Sequence, residues 1–217
     1  MFDKAFKKVN TFVDFKTDLV EAEVDDDQET AKIKELMVII PDKEEVANDV
    51  IPLATKPPTI VDWKTHKEGK NNYFQIIRAD GSSKMFRIFS QMLKSFNRED
   101  LEVLYKLVKD RYGSTRPLED MDLVLWNDLI NMFEPHVEDT VWRYQQAYKV
   151  LEWKLYDSRR VHFLRMQHMQ IYRLVEMKYP LALLTLSQML EKKLQIDYES
   201  EMAYQLCKLI IKQLKNP

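Results

Sequence analysis

Arg159, Arg160, His162 and Arg165 form the densest group of side chains suited to recognition chemistry in the sequence. Two adjacent guanidinium groups on a hairpin turn would present planar donor forks that match phosphate or carboxylate oxygens. These four residues are therefore the candidate anion or nucleic-acid contact, against the plainer reading of a solvated turn. Other chemistries find less material. His66, His136, His162 and His168 include no i, i+4 pair, and the six-residue gap between His162 and His168 suits no metal-ligand spacing. The single cysteine, Cys207, sits among Leu206, Leu209 and Ile210, where a small buried hydrophobe is expected in place of a nucleophile. The glycines Gly69, Gly81 and Gly113 stand apart from one another, so no loop has the clustered glycines that cradle a phosphate. Asp120 and Asp122 precede an amphipathic stretch, where negative charge suits a helix N-terminus without any catalytic role. The expectation is a chain with no catalytic residues, no metal ligands and no cofactor.

The elements that would position the basic turn are legible from period and punctuation. Leu151, Trp153 and Leu155 alternate with Glu152, Lys154 and Tyr156, and Val161 to Met166 can pair back across Asp157 to Arg160 as a hairpin. Earlier, Ile60 to Trp63, Tyr73 to Ala79 and Met85 to Phe89 read as three strands, with Asp80-Gly81-Ser82-Ser83 as a turn. Asn97 with Asp100 resembles an N-cap pair for a helix carrying Leu101, Leu104, Tyr105, Val108 and Tyr112, stopped by Gly113. A second helix begins near Pro117 and carries Leu118, Met121, Leu125, Leu129 and Phe133. Gln167 to Lys178 fits either helix or strand. After Pro180 a helix holds Leu183, Leu186, Leu190 and Leu194, and a last helix from about Glu199 turns Met202, Leu206, Leu209 and Ile210 inward. Trp126, Trp142 and Trp153, with Met166, Met169, Tyr172, Met177 and Tyr179, read as packing residues.

The first 58 residues differ in character. Phe2, Phe6, Val9, Val13 and Val20 recur near the helical period and form a candidate association stripe. Glu21 to Glu29 is a self-repelling acidic run expected to be solvated, a short helix is predicted around Ile33, Leu36, Met37 and Ile40, and residues 42–58 have linker composition. Residues 1–57 hold 8 Lys against 14 Asp and Glu, whereas 140–217 hold 13 basic against 7 acidic residues. An acidic head on a mildly basic tail permits an anionic partner without requiring one. The expected class is α+β: mainly helical, with a small antiparallel meander and a second hairpin in a domain at 59–217, preceded by a helical and flexible acidic arm at 1–58. No apolar run approaches the roughly 18 residues that span a bilayer, and no signal peptide opens the chain, so an intracellular protein of cytoplasm or nucleus is expected.

Several stretches carry a resemblance. They are Tyr73-Phe-Gln-Ile-Ile-Arg-Ala-Asp-Gly-Ser-Ser-Lys84, Leu123-Val-Leu-Trp-Asn-Asp-Leu-Ile-Asn-Met-Phe-Glu-Pro135 and Val150-Leu-Glu-Trp-Lys-Leu-Tyr-Asp-Ser158, with Val175-Glu-Met-Lys-Tyr-Pro-Leu181 and Ser200-Glu-Met-Ala-Tyr-Gln-Leu206. Together they resemble a module, without assigned chemistry, of plant proteins derived from copia-type LTR retrotransposons, lying outside the protease, integrase and reverse transcriptase domains. In that module the turn after the Trp153 strand usually reads Cys-Gly where this chain has Arg159-Arg160, so the basic turn is a departure from the pattern. The retroelement's enzymes leave no trace: there is no Tyr-x-Asp-Asp, and Asp80-Gly81-Ser82 has the wrong order for an aspartic protease. The resemblance implies an origin. The function expected is non-enzymatic protein association, with self or an unidentified partner. The alternative is an accessory module whose basic C-terminal half makes weak, non-specific nucleic-acid contacts.

Overall fold

The computed structural model describes residues 26–41 and 57–215, apart from Lys70, Ser114 and Glu119. The expected helix Phe2 to Val20, with its stripe, and most of the expected linker lie outside the described residues. The fold is α+β, with seven α-helices and two sheets among the described residues.

A three-stranded antiparallel meander comprises β2 (Ile60–Glu68), β3 (Asn71–Arg78) and β4 (Ser83–Phe86). The turn after β3 forms for the reason read in its residues: Asp80 accepts from the Ser82 amide at 2.9 Å, and Gly81 takes φ 81°. The chain then enters α2 (Phe89–Ser95), which the sequence had hidden by placing Phe89 at the end of a strand. Next come α3 (Arg98–Tyr112) and α4 (Asp120–Phe133). Asn97 and Asp100 close a reciprocal capping box, each side chain bonding the other's backbone N–H. Asp100 also receives both guanidinium arms of Arg78, at 2.9 Å each, which ties the meander to the start of α3.

The second sheet is larger than a hairpin. After the short α5 (Thr140–Tyr144), β5 (Val150–Tyr156) pairs antiparallel with β6 (Val161–Met166), and β6 with β7 (Gln170–Leu174). The ambiguous stretch thus contains a strand. Then α6 (Leu183–Lys192) leads into β8 (Leu194–Ile196) and α7 (Glu201–Lys215). Leu194, expected as the last helical leucine, opens a strand instead, because Lys193 leaves the helix with φ 60°.

The remaining strand comes from the N-terminal segment. Within the acidic run α1 (Asp26–Lys34) begins, and its Glu29 is exposed to solvent. The predicted short helix around Ile33 to Ile40 is half right: helix ends at Lys34, and β1 (Met37–Ile39) pairs in parallel with β8. The strand order is β1-β8-β5-β6-β7. Ile33 is 1% exposed and packs with Leu206 and Ile210 of α7 in one core, so 26–41 is continuous with the packing of the domain.

The five-stranded sheet is covered on both sides. Val161, Phe163, Tyr172 and Leu174 face the meander, α3 and α4, while Leu164, Met166 and Ile171 face α6 and α7. Cover on both faces explains why every residue of β6 but Arg165 is buried, so that period-two alternation fades.

Candidate functional site

The basic turn does not assemble an anion site. Arg159 is directed inward to the C-terminal end of α2: Nε donates to the Phe96 carbonyl and Nη2 to that of Lys94, both at 2.6 Å. A helix leaves its last carbonyls without intrahelical partners, and a guanidinium satisfies two at once. Burial lowers the Arg159 pKa, with Asp197, Tyr156 and Tyr198 opposing. Arg160 is exposed and occupies the left-handed region at φ 55°, ψ 37°. Glycine is the residue such a backbone favours. Arg165 is exposed on the opposite side of β6 from His162 and bonds Glu152 at 2.7 Å. The four residues therefore face four different surroundings.

His162 is buried. Its Nδ1 accepts from Trp153 Nε1 at 3.2 Å, and Arg173 Nη2 approaches the same atom at 3.4 Å. Desolvation first, and the Arg173 charge second, lower its pKa well below the usual histidine range, so the ring is neutral and serves as an acceptor.

Arg173 is the residue the sequence reading missed. It is 0% exposed, and its Nε and Nη1 have no hydrogen-bond partner. Its surroundings are His162, the Met189 sulfur at 3.5 Å and the Tyr179 ring at 5.8 Å. Burial lowers its pKa to about 9. The alternation of β7, with Ile171 and Arg173 on one face, was the only signal that could have revealed it.

A second perturbed group lies on α4. Asp128 shares the helix face of Leu125 and Met132, and burial pushes its carboxyl up to about 8. Its charge would also raise the Tyr172 hydroxyl, after the larger effect of burial. Cys207 is buried in the α7 core, and burial pushes its thiol up to about 12, far from a thiolate nucleophile. Among the described residues no three His, Cys, Asp or Glu side chains gather closely enough to hold a metal ion. No described helix is long and apolar enough to cross a membrane.

The feature with a free valence is the edge of the large sheet. Leu36 O accepts from Leu194 N at 2.7 Å, and Ile40 N donates to Ile196 O at 2.8 Å. Alternate residues of a parallel strand bond to opposite sides, so the N–H and C=O of Met37 and Ile39 point away from β8. Among the described residues no strand lies on that side. Val38, Ile39 and Ile40 are exposed there, Ile39 by 52%. Comparison with known proteins adds no relative: no family model, curated protein or solved structure matches the chain.

Proposed function

We propose that this chain is a non-enzymatic association module that pairs with a second copy of itself through the open edge of β1. The observation that carries this reading is that edge: an apolar three-residue strand whose outward amides and carbonyls are aligned for a further strand. A two-fold axis at Val38 would set Met37 against Ile39 of the second copy and bring four outward backbone hydrogen bonds into register. Phe2, Phe6, Val9, Val13 and Val20, which recur in the sequence near the helical period, would add apolar area to a contact that three residues alone make small. An origin in plant copia-type retroelements, which the resemblance implies, agrees with a module that carries no enzyme signature. A single thiol buried in a core suits a reducing compartment, cytoplasm or nucleus.

The test is Ile39→Pro. Proline removes the outward N–H of Ile39 and leaves the bonds between β1 and β8 in place. Light scattering over a concentration series should show wild-type dimer and variant monomer, with equal melting temperatures at concentrations low enough for both to be monomers. A wild type that stays monomeric, or a variant that still dimerises, overturns the reading.

A further inference from the structure

The core around Arg173 is rich in nitrogen donors and poor in acceptors. The side chain is 0% exposed, and a guanidinium carries five N–H donors and no acceptor. Nη2 is aimed at His162 Nδ1 at 3.4 Å, but that lone pair already accepts from Trp153 Nε1 at 3.2 Å. Its other neighbour, the Met189 sulfur at 3.5 Å, is a weak acceptor. Nε and Nη1 have no partner. The Tyr179 ring lies 5.8 Å away, and its hydroxyl is committed to Leu174 and Met132. Trp142 packs on the same ring at 5.5 Å, and its buried Nε1 is a further donor without a partner.

Satisfying donors and balancing a charge are separate demands. Even lowered to about 9 by burial, the Arg173 pKa leaves the group charged at pH 7. Its neighbours supply no carboxylate, and Glu176, three positions on, is paired with Arg98 at 2.7 Å. Water would supply acceptor lone pairs and leave the charge unpaired, whereas an anion answers both demands. Enclosure limits which anion. No part of Arg173 reaches the surface, so an organic acid or a phosphate ester has no opening. One guanidinium balances one negative charge. A lining of thioether, indole and phenol ring returns little to a strongly hydrated ion, which favours a halide that sheds its water readily.

We infer that the core between β7 and α6 holds one small monovalent anion of the halide class, chloride, against Nε and Nη1 of Arg173. This site is independent of pairing at β1. An anion held only by the folded chain shifts unfolding by mass action.

Thermal melts of the full chain, with sodium fluoride replaced stepwise by sodium chloride at constant ionic strength, read this binding. Fluoride holds its water too tightly to follow chloride into the core. Wild type should gain about 3–6 °C for each tenfold rise in chloride beyond the dissociation constant. Arg173→Met should lack that gain, and subtracting its response removes the general effect of the two salts. In fluoride alone Arg173→Met should melt above wild type, and chloride should narrow the gap. Anomalous diffraction from crystals grown in bromide needs no variant, and a peak is expected in contact with Nε or Nη1. Equal chloride responses in wild type and Arg173→Met would overturn the assignment, as would diffraction without a bromide peak there. A peak without chloride-dependent melting would be binding at crystal concentration only and would overturn it too.

Discussion

Arg173 and Arg159 are both withdrawn from water, and what each guanidinium meets separates their energetics. Arg159 meets two carbonyl oxygens at the end of α2. Arg159→Ala should therefore lower stability by about 1.5–3 kcal/mol in denaturant titration, the range for hydrogen bonds to a charged donor. Arg173 meets a neutral imidazole, a thioether and an aromatic face, and two of its nitrogens meet no partner. A buried charge without an anion is a net cost, so Arg173→Met should raise stability by about 1–3 kcal/mol in the same titration. Asp128 gives a pH signature. Its folded carboxyl is raised from 3.8 to about 8, so between those values the folded chain keeps a proton that the unfolded chain has released. Stability contributed by this group should fall as pH rises from about 4 to about 8 and then level off. Melting curves across that range should show the slope in wild type and lose it in Asp128→Asn. Arg160→Gly should stabilise by about 1 kcal/mol, since the left-handed backbone costs a side-chain-bearing residue that much. At this scale the sequence exposed the basic residues as types but not their surroundings. Which way Arg159 turns depends on α2, more than sixty residues earlier and itself unforeseen.

Local signals determine some elements and distant pairing determines others. The meander, the capping box of α3 and the β5–β6 hairpin are legible because each is closed by neighbours: a Gly81 turn, an Asn97–Asp100 exchange and alternation through Trp153. Elements built on remote contacts were lost. Residues 35–40 contain nothing that forbids a helical turn, and β1 exists because β8, more than 150 residues later, offers it a parallel edge. Likewise β8 is only three residues long, and its Leu194 continues the spacing of the α6 leucines. The composition change near Pro57 and Pro58 suggested a boundary there, yet Ile33 is seated among Leu206, Ile210 and Ala203. Ile33→Ala should accordingly lose about 2–5 kcal/mol, the range for deleting a buried aliphatic side chain. Residues 59–217 expressed alone should melt well below the full chain, whereas 26–217 should melt with the same core intact. Equal melting of 59–217 and the full chain would show that α1 and β1 contribute nothing to the core.

At the scale of the molecule, a sheet covered on both faces has only its edges left for contact. Tyr179 already occupies part of the β7 side, its hydroxyl accepting from Leu174 N and donating to Met132 O, both at 2.7 Å. The β1 side has exposed Val38, Ile39 and Ile40 and none of the lysines or prolines within the strand that usually protect an edge. The proposed self-association there would leave a mark on individual amides. Met37 and Ile39 point outward, while Ile40 is bonded to Ile196 in the monomer itself. Amide hydrogen exchange, resolved by residue and followed over a concentration series, reads this directly. Ile40 should be protected at every concentration, and Met37 and Ile39 should gain protection together as concentration rises. Met37 and Ile39 exchanging at one unchanged rate across the series, with Ile40 protected throughout, would contradict pairing at β1.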